Sequence, residues 1–226
     1  DGDYNVFLGT NVAATSTTAD YSIGIGYYSM GTGNGSGGSN IGIGIRTLQE
    51  IDGGANNIAI GTDALADSQE GNKNIAIGYR AIYDGDTSGT NNIAIGEEAG
   101  KALVAGLENI FIGSMAGVAT TTGENNVAIG HDAFLTSDGD GDRNVAIGSN
   151  AGDGTTSAAD TIAIGHDAMS AAVTTGGSNI AIGKLSLKSM KGGTNNIGIG
   201  YRALRDTSDT AARNIAIGDQ VAFDGA

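Results

Sequence analysis

Apolar residues along this chain fall into short runs in which β-branched residues alternate with small ones. Ile23-Gly24-Ile25, Ile58-Ala59-Ile60, Ile75-Ala76-Ile77 and Val127-Ala128-Ile129 are examples, each closed by a glycine. A period of two rather than 3.6 predicts a β-strand at every run. The closing glycines stand at Gly9, Gly26, Gly44, Gly61, Gly78, Gly96, Gly113, Gly130, Gly148, Gly165, Gly183, Gly200 and Gly218, so there are thirteen copies spaced 17 or 18 residues apart. The segments between them vary freely, from "TLQEIDGGAN" to "SAAVTTGGS". A fixed period with variable filler implies that every copy occupies the same place in a stacked coil. A strand with a crossover helix needs about 30 residues, which is more than the repeat provides. The expected fold is therefore all-β, a parallel β-solenoid or β-roll of about thirteen coils forming one domain over residues 1–226. With strands about 4.8 Å apart, thirteen rungs make a rod of roughly 60 Å.

Reading down the repeats sharpens this picture. The residue before the first apolar position is Asn in eleven of the thirteen copies, with Ser22 and Thr161 as the exceptions. Stacked amides of this kind bond from rung to rung and satisfy turn backbone that would otherwise be orphaned. The invariant glycine marks a corner that needs positive φ or has no room for a Cβ. The middle strand position is Ala in eight copies, Gly in three and Phe in two (Phe7 and Phe111). Since almost nothing polar occupies either strand face, both are expected to be buried. The small residues then face either the opposite wall of the same coil or another copy of the chain, and burial on both sides of so thin a coil favours an oligomer.

Composition narrows the function classes. Forty glycines accompany no proline, cysteine or tryptophan, and aromatics make up only 5%. Without cysteine there is neither a disulfide framework nor a thiolate metal site. A formal charge of −14 repels phosphate backbones and anionic lipid, so nucleic acid is an unexpected partner. No run of 18 apolar residues is present, and membrane insertion by this segment is not expected. The absence of an initiator methionine and of a polar capping repeat points to a segment of a longer fibrous protein, flanked by other modules.

The repeated "NIAIGxxA", as in "NIAIGYRA", "NVAIGHDA" and "NIAIGEEA", resembles the head-domain repeats of YadA-type trimeric autotransporter adhesins and related repeats in bacteriophage tail fibres. The resemblance covers residues 5 to 223. It implies three chains, each a left-handed parallel β-roll, packed side by side about a threefold axis, and a role in attachment outside the cell or on a virion. The adhesin heads have shorter coils than the 17 or 18 residues found here, which favours a tail-fibre-like or mosaic relative.

Candidate chemistry has to be weighed against the repeats that carry it. The two positions after each glycine vary in polarity and are expected to face solvent or a neighbouring chain. Among them Arg46, Asp63, Arg80 and Glu98 alternate in sign on four successive rungs, an ion-pair ladder. Glu97 and Glu98 are the one adjacent carboxylate pair at these positions, but as neighbours on a strand they point to opposite sides, which suits glycoside hydrolysis poorly. His131 and His166 share a "GHDA" context two rungs, near 10 Å, apart, which is too far to share an ion within one chain. "DGDGDR" begins like a calcium loop, but Arg143 stands where glycine is required and Ser149 where glutamate is required. Asp138, Asp140 and Asp142 remain weak cation candidates, as do Asp84 and Asp86. The glycine-rich Gly33–Gly38 stretch lacks the strand-to-helix setting of a phosphate loop.

A glycan receptor requires exposed aromatics, and Tyr27, Tyr28, Tyr79, Tyr83 and Tyr201 are scattered through the sequence with no continuous platform. Lys184, Lys188 and Lys191 form the one basic patch. The expected function is that of a non-enzymatic structural or adhesive segment of a homotrimeric fibre, without cofactor, whose partner is a cell-surface glycan or protein. Two alternatives are an ice-binding solenoid, although Thr120 to Thr122 lie in a loop rather than a threonine ladder, and a polysaccharide depolymerase.

Overall fold

The computed structural model describes residues 3–14, 20–32, 37–84, 88–135, 141–155, 158–170, 175–206 and 212–222. The chain divides into two compact units, Asp1–Asn109 and Ile110–Ala226. The first holds β1 (Val6–Leu8), β2 (Ile23–Ile25), β3 (Ile41–Ile43), β4 (Ile58–Ile60), β5 (Ile75–Ile77) and β6 (Ile93–Ile95). The second holds β7 (Ile110–Ile112), β8 (Val127–Ile129), β9 (Val145–Ile147), β10 (Ile162–Ile164), β11 (Ile180–Ile182), β12 (Ile197–Ile199) and β13 (Ile215–Ile217). Within each unit consecutive strands pair in parallel with no slip, for example Ile58↔Ile75, Ala59↔Ala76 and Ile60↔Ile77. Among the described residues there is no helix. Each unit is thus a parallel β-solenoid, and every motif of the sequence supplies one strand.

Hydrogen bonds from coil to coil explain the fixed period. The N–H of Ile58 donates forward to the Asn74 carbonyl and the N–H of Gly61 donates back to the Ile43 carbonyl, at 2.8 and 2.9 Å. The turn continues the alternation: Asp63 donates back to Ile45, and Leu65 donates forward to Ala81. The asparagines form the expected column. Asn74 Oδ1 accepts from the backbone N–H of Asn92 at 2.9 Å and from its Nδ2 at 3.1 Å, while Asn74 Nδ2 donates to the Gly89 carbonyl at 2.8 Å. Both side chains are fully buried, so each amide satisfies groups that water does not reach.

The motif glycine has φ between 124° and 140° in every coil. A Cβ on Gly61 would stand 2.6 Å from the Gly78 carbonyl oxygen, so the corner excludes any side chain. Three further positions per coil are left-handed, and they are mostly not glycine: Arg46 (φ 53°), Leu48 (φ 49°) and Asn56 (φ 61°) in the third coil are typical. A left-handed L-residue costs about 1–2 kcal/mol. The conformation persists because inter-coil hydrogen bonds and packing repeat at each of these positions.

Within a single chain the two strand faces differ. From β2 onward the middle residue points inward and is buried, as with Ala59, Ala76 and Ala94, whereas its two flanking β-branched residues face outward and stay partly or fully exposed; in β1, at the end of the first unit, Phe7 is exposed as well. The small middle residue is therefore required by the opposite wall of its own coil. A Cβ on Gly42 would meet Ser29 Oγ at 2.8 Å and Thr47 Oγ1 at 3.0 Å. Size is exchanged across this interior. Phe111 fills the middle position above Gly117, where a Cβ would stand 2.6 Å from its ring, and Leu103 fills the interior of the coil that has Gly100 at its turn. Where the middle residue is Gly42 or Gly198, a serine one coil earlier donates to its carbonyl, from Ser29 at 3.0 Å and from Ser186 at 2.8 Å.

Candidate functional site

Among the described residues, a cluster of charged and aromatic side chains lies in the first unit around the turn past the Gly78 corner. Arg46 clasps Asp63 with two bonds, Nε to Oδ1 at 2.6 Å and a terminal nitrogen to Oδ2 at 2.9 Å, and this contact raises the Arg46 pKa above its ordinary value. Arg80 approaches the same Asp63 at 3.8 Å and Glu98 at 4.0 Å, and Lys101 closes the series at 3.2 Å from Glu98 and 3.7 Å from Asp84. The four-rung ladder expected from the sequence is present and runs on to Lys101 and Asp84. Its centre is not surface-exposed, however, because the Asp63 side chain is only 4% accessible. The buried carboxylate fixes the Arg46 plane through two hydrogen bonds, while Arg80 stands close enough to feel its charge.

Aromatic rings complete the cluster. The Arg80 guanidinium lies 5.0 Å from the Tyr79 ring centroid and 4.9 Å from that of Tyr83. Tyr79 is 42% exposed. Arg80 Nε is buried from water without a hydrogen-bond partner, and the two carboxylates near the guanidinium stand beyond hydrogen-bonding distance. The sequence separates Tyr79 from Tyr83 by a turn, and only the left-handed backbone at Arg80 and Ile82 (φ 53° and 48°) brings both rings to one guanidinium.

The other candidate residues are dispersed. Glu97 and Glu98 lie in a turn rather than on a strand; Glu97 is exposed, and Glu98 is committed to Lys101. His131 and His166 each hold Nδ1 against the next aspartate, at 2.9 Å from Asp132 and 3.2 Å from Asp167. Burial works to raise the Asp167 pKa, but a bond from Asn150 Nδ2 at 3.1 Å and the charges of Lys188 and His166 outweigh it and hold the carboxyl below its ordinary range. Arg143 clasps Asp160 at 2.7 and 3.1 Å, which holds that carboxyl low as well. Asp138, Asp140 and Asp86 lie outside the described residues, as do residues 33–36 of the glycine-rich stretch. Asp142 Oδ1 accepts from the Glu124 N–H at 2.9 Å. Among the described residues no three histidine, aspartate or glutamate side chains are grouped to hold a metal ion.

The second surface of note is the outward strand face of each unit. Every strand contributes two β-branched or leucine side chains to it, from Val6 and Leu8 to Ile93 and Ile95 in the first unit and from Ile110 and Ile112 to Ile215 and Ile217 in the second. No charged or polar side chain interrupts either pair of rows. No family model, curated protein or solved structure matches the chain.

Proposed function

We propose that the protein is a structural and adhesive segment of a homotrimeric fibre, each chain a left-handed β-roll, which supports attachment to a cell surface from outside the cell or from a virion. The observation that carries this reading is the uninterrupted outward face of isoleucine and valine. On a solvated sheet those positions would carry Thr, Lys, Glu or Ser. Contiguous apolar rows are instead the mark of a surface covered by another molecule. The regular in-register spacing of the rows matches a partner with the same spacing, and a second and third copy of this chain provide it. Moving a partly exposed isoleucine into such an interface contributes about 1 kcal/mol, and the sum over the strands exceeds the cost of association. The asparagine column and the glycine corners serve the same end, since they keep every coil identical along the length of the face.

Absolute mass in solution, from light scattering coupled to size exclusion, tests the reading. A mass near three chains is the expected result. A strict monomer would overturn it and leave the isoleucine face as a working surface of a single chain.

A further inference from the structure

We propose that Tyr79, Arg80 and Tyr83 form a binding site for a neutral, hexose-bearing glycan, which names the ligand class of the adhesive reading above and rests on it. Three observations converge. First, Arg80 is poised differently from the other clasped arginines of the chain. Arg46 directs two donors at Asp63 and Arg143 directs two at Asp160, whereas Arg80 has carboxylates only at 3.8 and 4.0 Å and an Nε with no partner. The Nε is buried, but the side chain as a whole is 34% accessible and makes no hydrogen bond to either carboxylate, so its terminal nitrogens are left for an acceptor from outside. Second, the guanidinium sits against two tyrosine rings at 5.0 and 4.9 Å, and the Tyr79 ring is open to solvent. An aromatic face beside a few fixed polar groups is the arrangement that takes the C–H face of a pyranose while the polar groups orient its hydroxyls. Third, both signs meet here: Arg46, Arg80 and Lys101 stand against Asp63, Asp84 and Glu98, and Asp67 adds a further negative charge. A hydroxyl both accepts from Arg80 and donates to Glu98, so it matches both signs, whereas an acidic sugar meets Glu98, the buried Asp63 and a chain carrying −14 overall.

The chain contains its own control. Gly200-Tyr201-Arg202-Ala203 repeats Gly78-Tyr79-Arg80-Ala81 in the second unit, and Arg202 lies 4.8 Å from the Tyr201 ring, but Arg205 stands where Tyr83 would be. The double aromatic flank is absent there.

The test applies the whole chain to a printed array of mannose-, galactose- and glucose-terminated oligosaccharides beside sialylated ones, with Tyr79→Ala, Tyr79→Phe, Arg80→Lys and Tyr201→Ala in parallel. Binding to one or more neutral glycans is expected, lowered at least about tenfold by Tyr79→Ala and by Arg80→Lys, which keeps the charge but loses the planar fork, and unchanged by Tyr201→Ala. Should Tyr79→Ala fail to fold, Arg80→Lys against Tyr79→Phe decides, because Phe retains the ring. The proposal is overturned by no binding to any neutral glycan, by binding only to sialylated ones, or by binding that Arg80→Lys leaves intact. Light scattering on the same sample separates the two readings: three chains without glycan binding sinks the site alone, and one chain that binds sinks the trimer while leaving the site in place.

Discussion

The two copies of Gly-Tyr-Arg-Ala, at Gly78–Ala81 and Gly200–Ala203, share four residues and nearly the same backbone, with φ of 138° and 131° at the glycine and 53° and 55° at the arginine. In both, the arginine covers its own tyrosine at about the same distance, 5.0 and 4.8 Å. Their surroundings differ. One coil earlier, Asp63 lies behind Arg80 where Leu185 lies behind Arg202; one coil later, Glu98 corresponds to Gln220; and Tyr83 corresponds to Arg205. The repeat thus fixes where a side chain stands, and the column above and below it fixes what that side chain can do. One motif gives a ladder of alternating charges beside two rings in the first unit, and in the second an arginine between uncharged column neighbours with a single ring.

Six substitutions test that separation. The largest effect is expected at the shared frame, from Gly78→Ala and Gly200→Ala. Each puts a Cβ against the next coil's glycine carbonyl at a left-handed φ, and each should cost about 3 kcal/mol or more in chemical denaturation. Markedly unequal losses would show that the two frames are not equivalent. Next is the asparagine column. Asn74→Ala leaves the Asn92 N–H and the Gly89 carbonyl unpaired in the interior, a loss of about 2–4 kcal/mol. Asn196→Ala should cost less, because Asn214, which it serves, is exposed. An equal loss would break the argument that burial sets the value of the amide.

Asp63→Asn removes the charge that Arg46 clasps and Arg80 faces, and should cost about 1–2 kcal/mol at neutral pH. No change would mean that the buried charge is not what fixes Arg46. The smallest effect is at Asp67, whose pKa is pushed up by burial first and then by Glu50, Asp84 and Asp63. A carboxyl raised in the folded state is a liability above its folded pKa, and the liability disappears as pH falls towards the ordinary value of 3.8. Asp67→Asn should therefore stabilise by about 0.5 kcal/mol at pH 7, and thermal melts should show the two proteins converging below about pH 4. A destabilised variant at pH 7 would reverse the sign assigned to that column.

Much of the fold is legible in the sequence because a repeat averages out local ambiguity. The thirteen strands, their parallel order within each unit, the asparagine column and the glycine corners all follow from periodicity and from the hydrogen-bonding needs of backbone. Which face points inward does not follow. A three-residue strand of Ile-Ala-Ile alternates equally well either way, and only the position of Ser29, Thr47 and Leu48 across the coil settles that the small residue is inside. The left-handed turn positions are hidden for a different reason. Tyr28, Leu48, Ile82 and Arg202 occupy them, residues whose own preferences argue against positive φ, so the conformation is imposed by bonds to the neighbouring coils. The candidate site was half visible: the alternating charges of Arg46, Asp63, Arg80 and Glu98 show in the spacing. The burial of Asp63 and the meeting of Tyr79 with Tyr83 depend on how tightly the turn closes.

Because each coil bonds to the next through the same atoms, a unit has no built-in end point. Duplicating one repeat of 17 or 18 residues would present the same donors and acceptors to both neighbours and advance the stack by about 4.8 Å. Deleting one would heal the same way. Within a unit, length is therefore set by the number of repeats, which can change in single steps while the surface chemistry of each step varies independently.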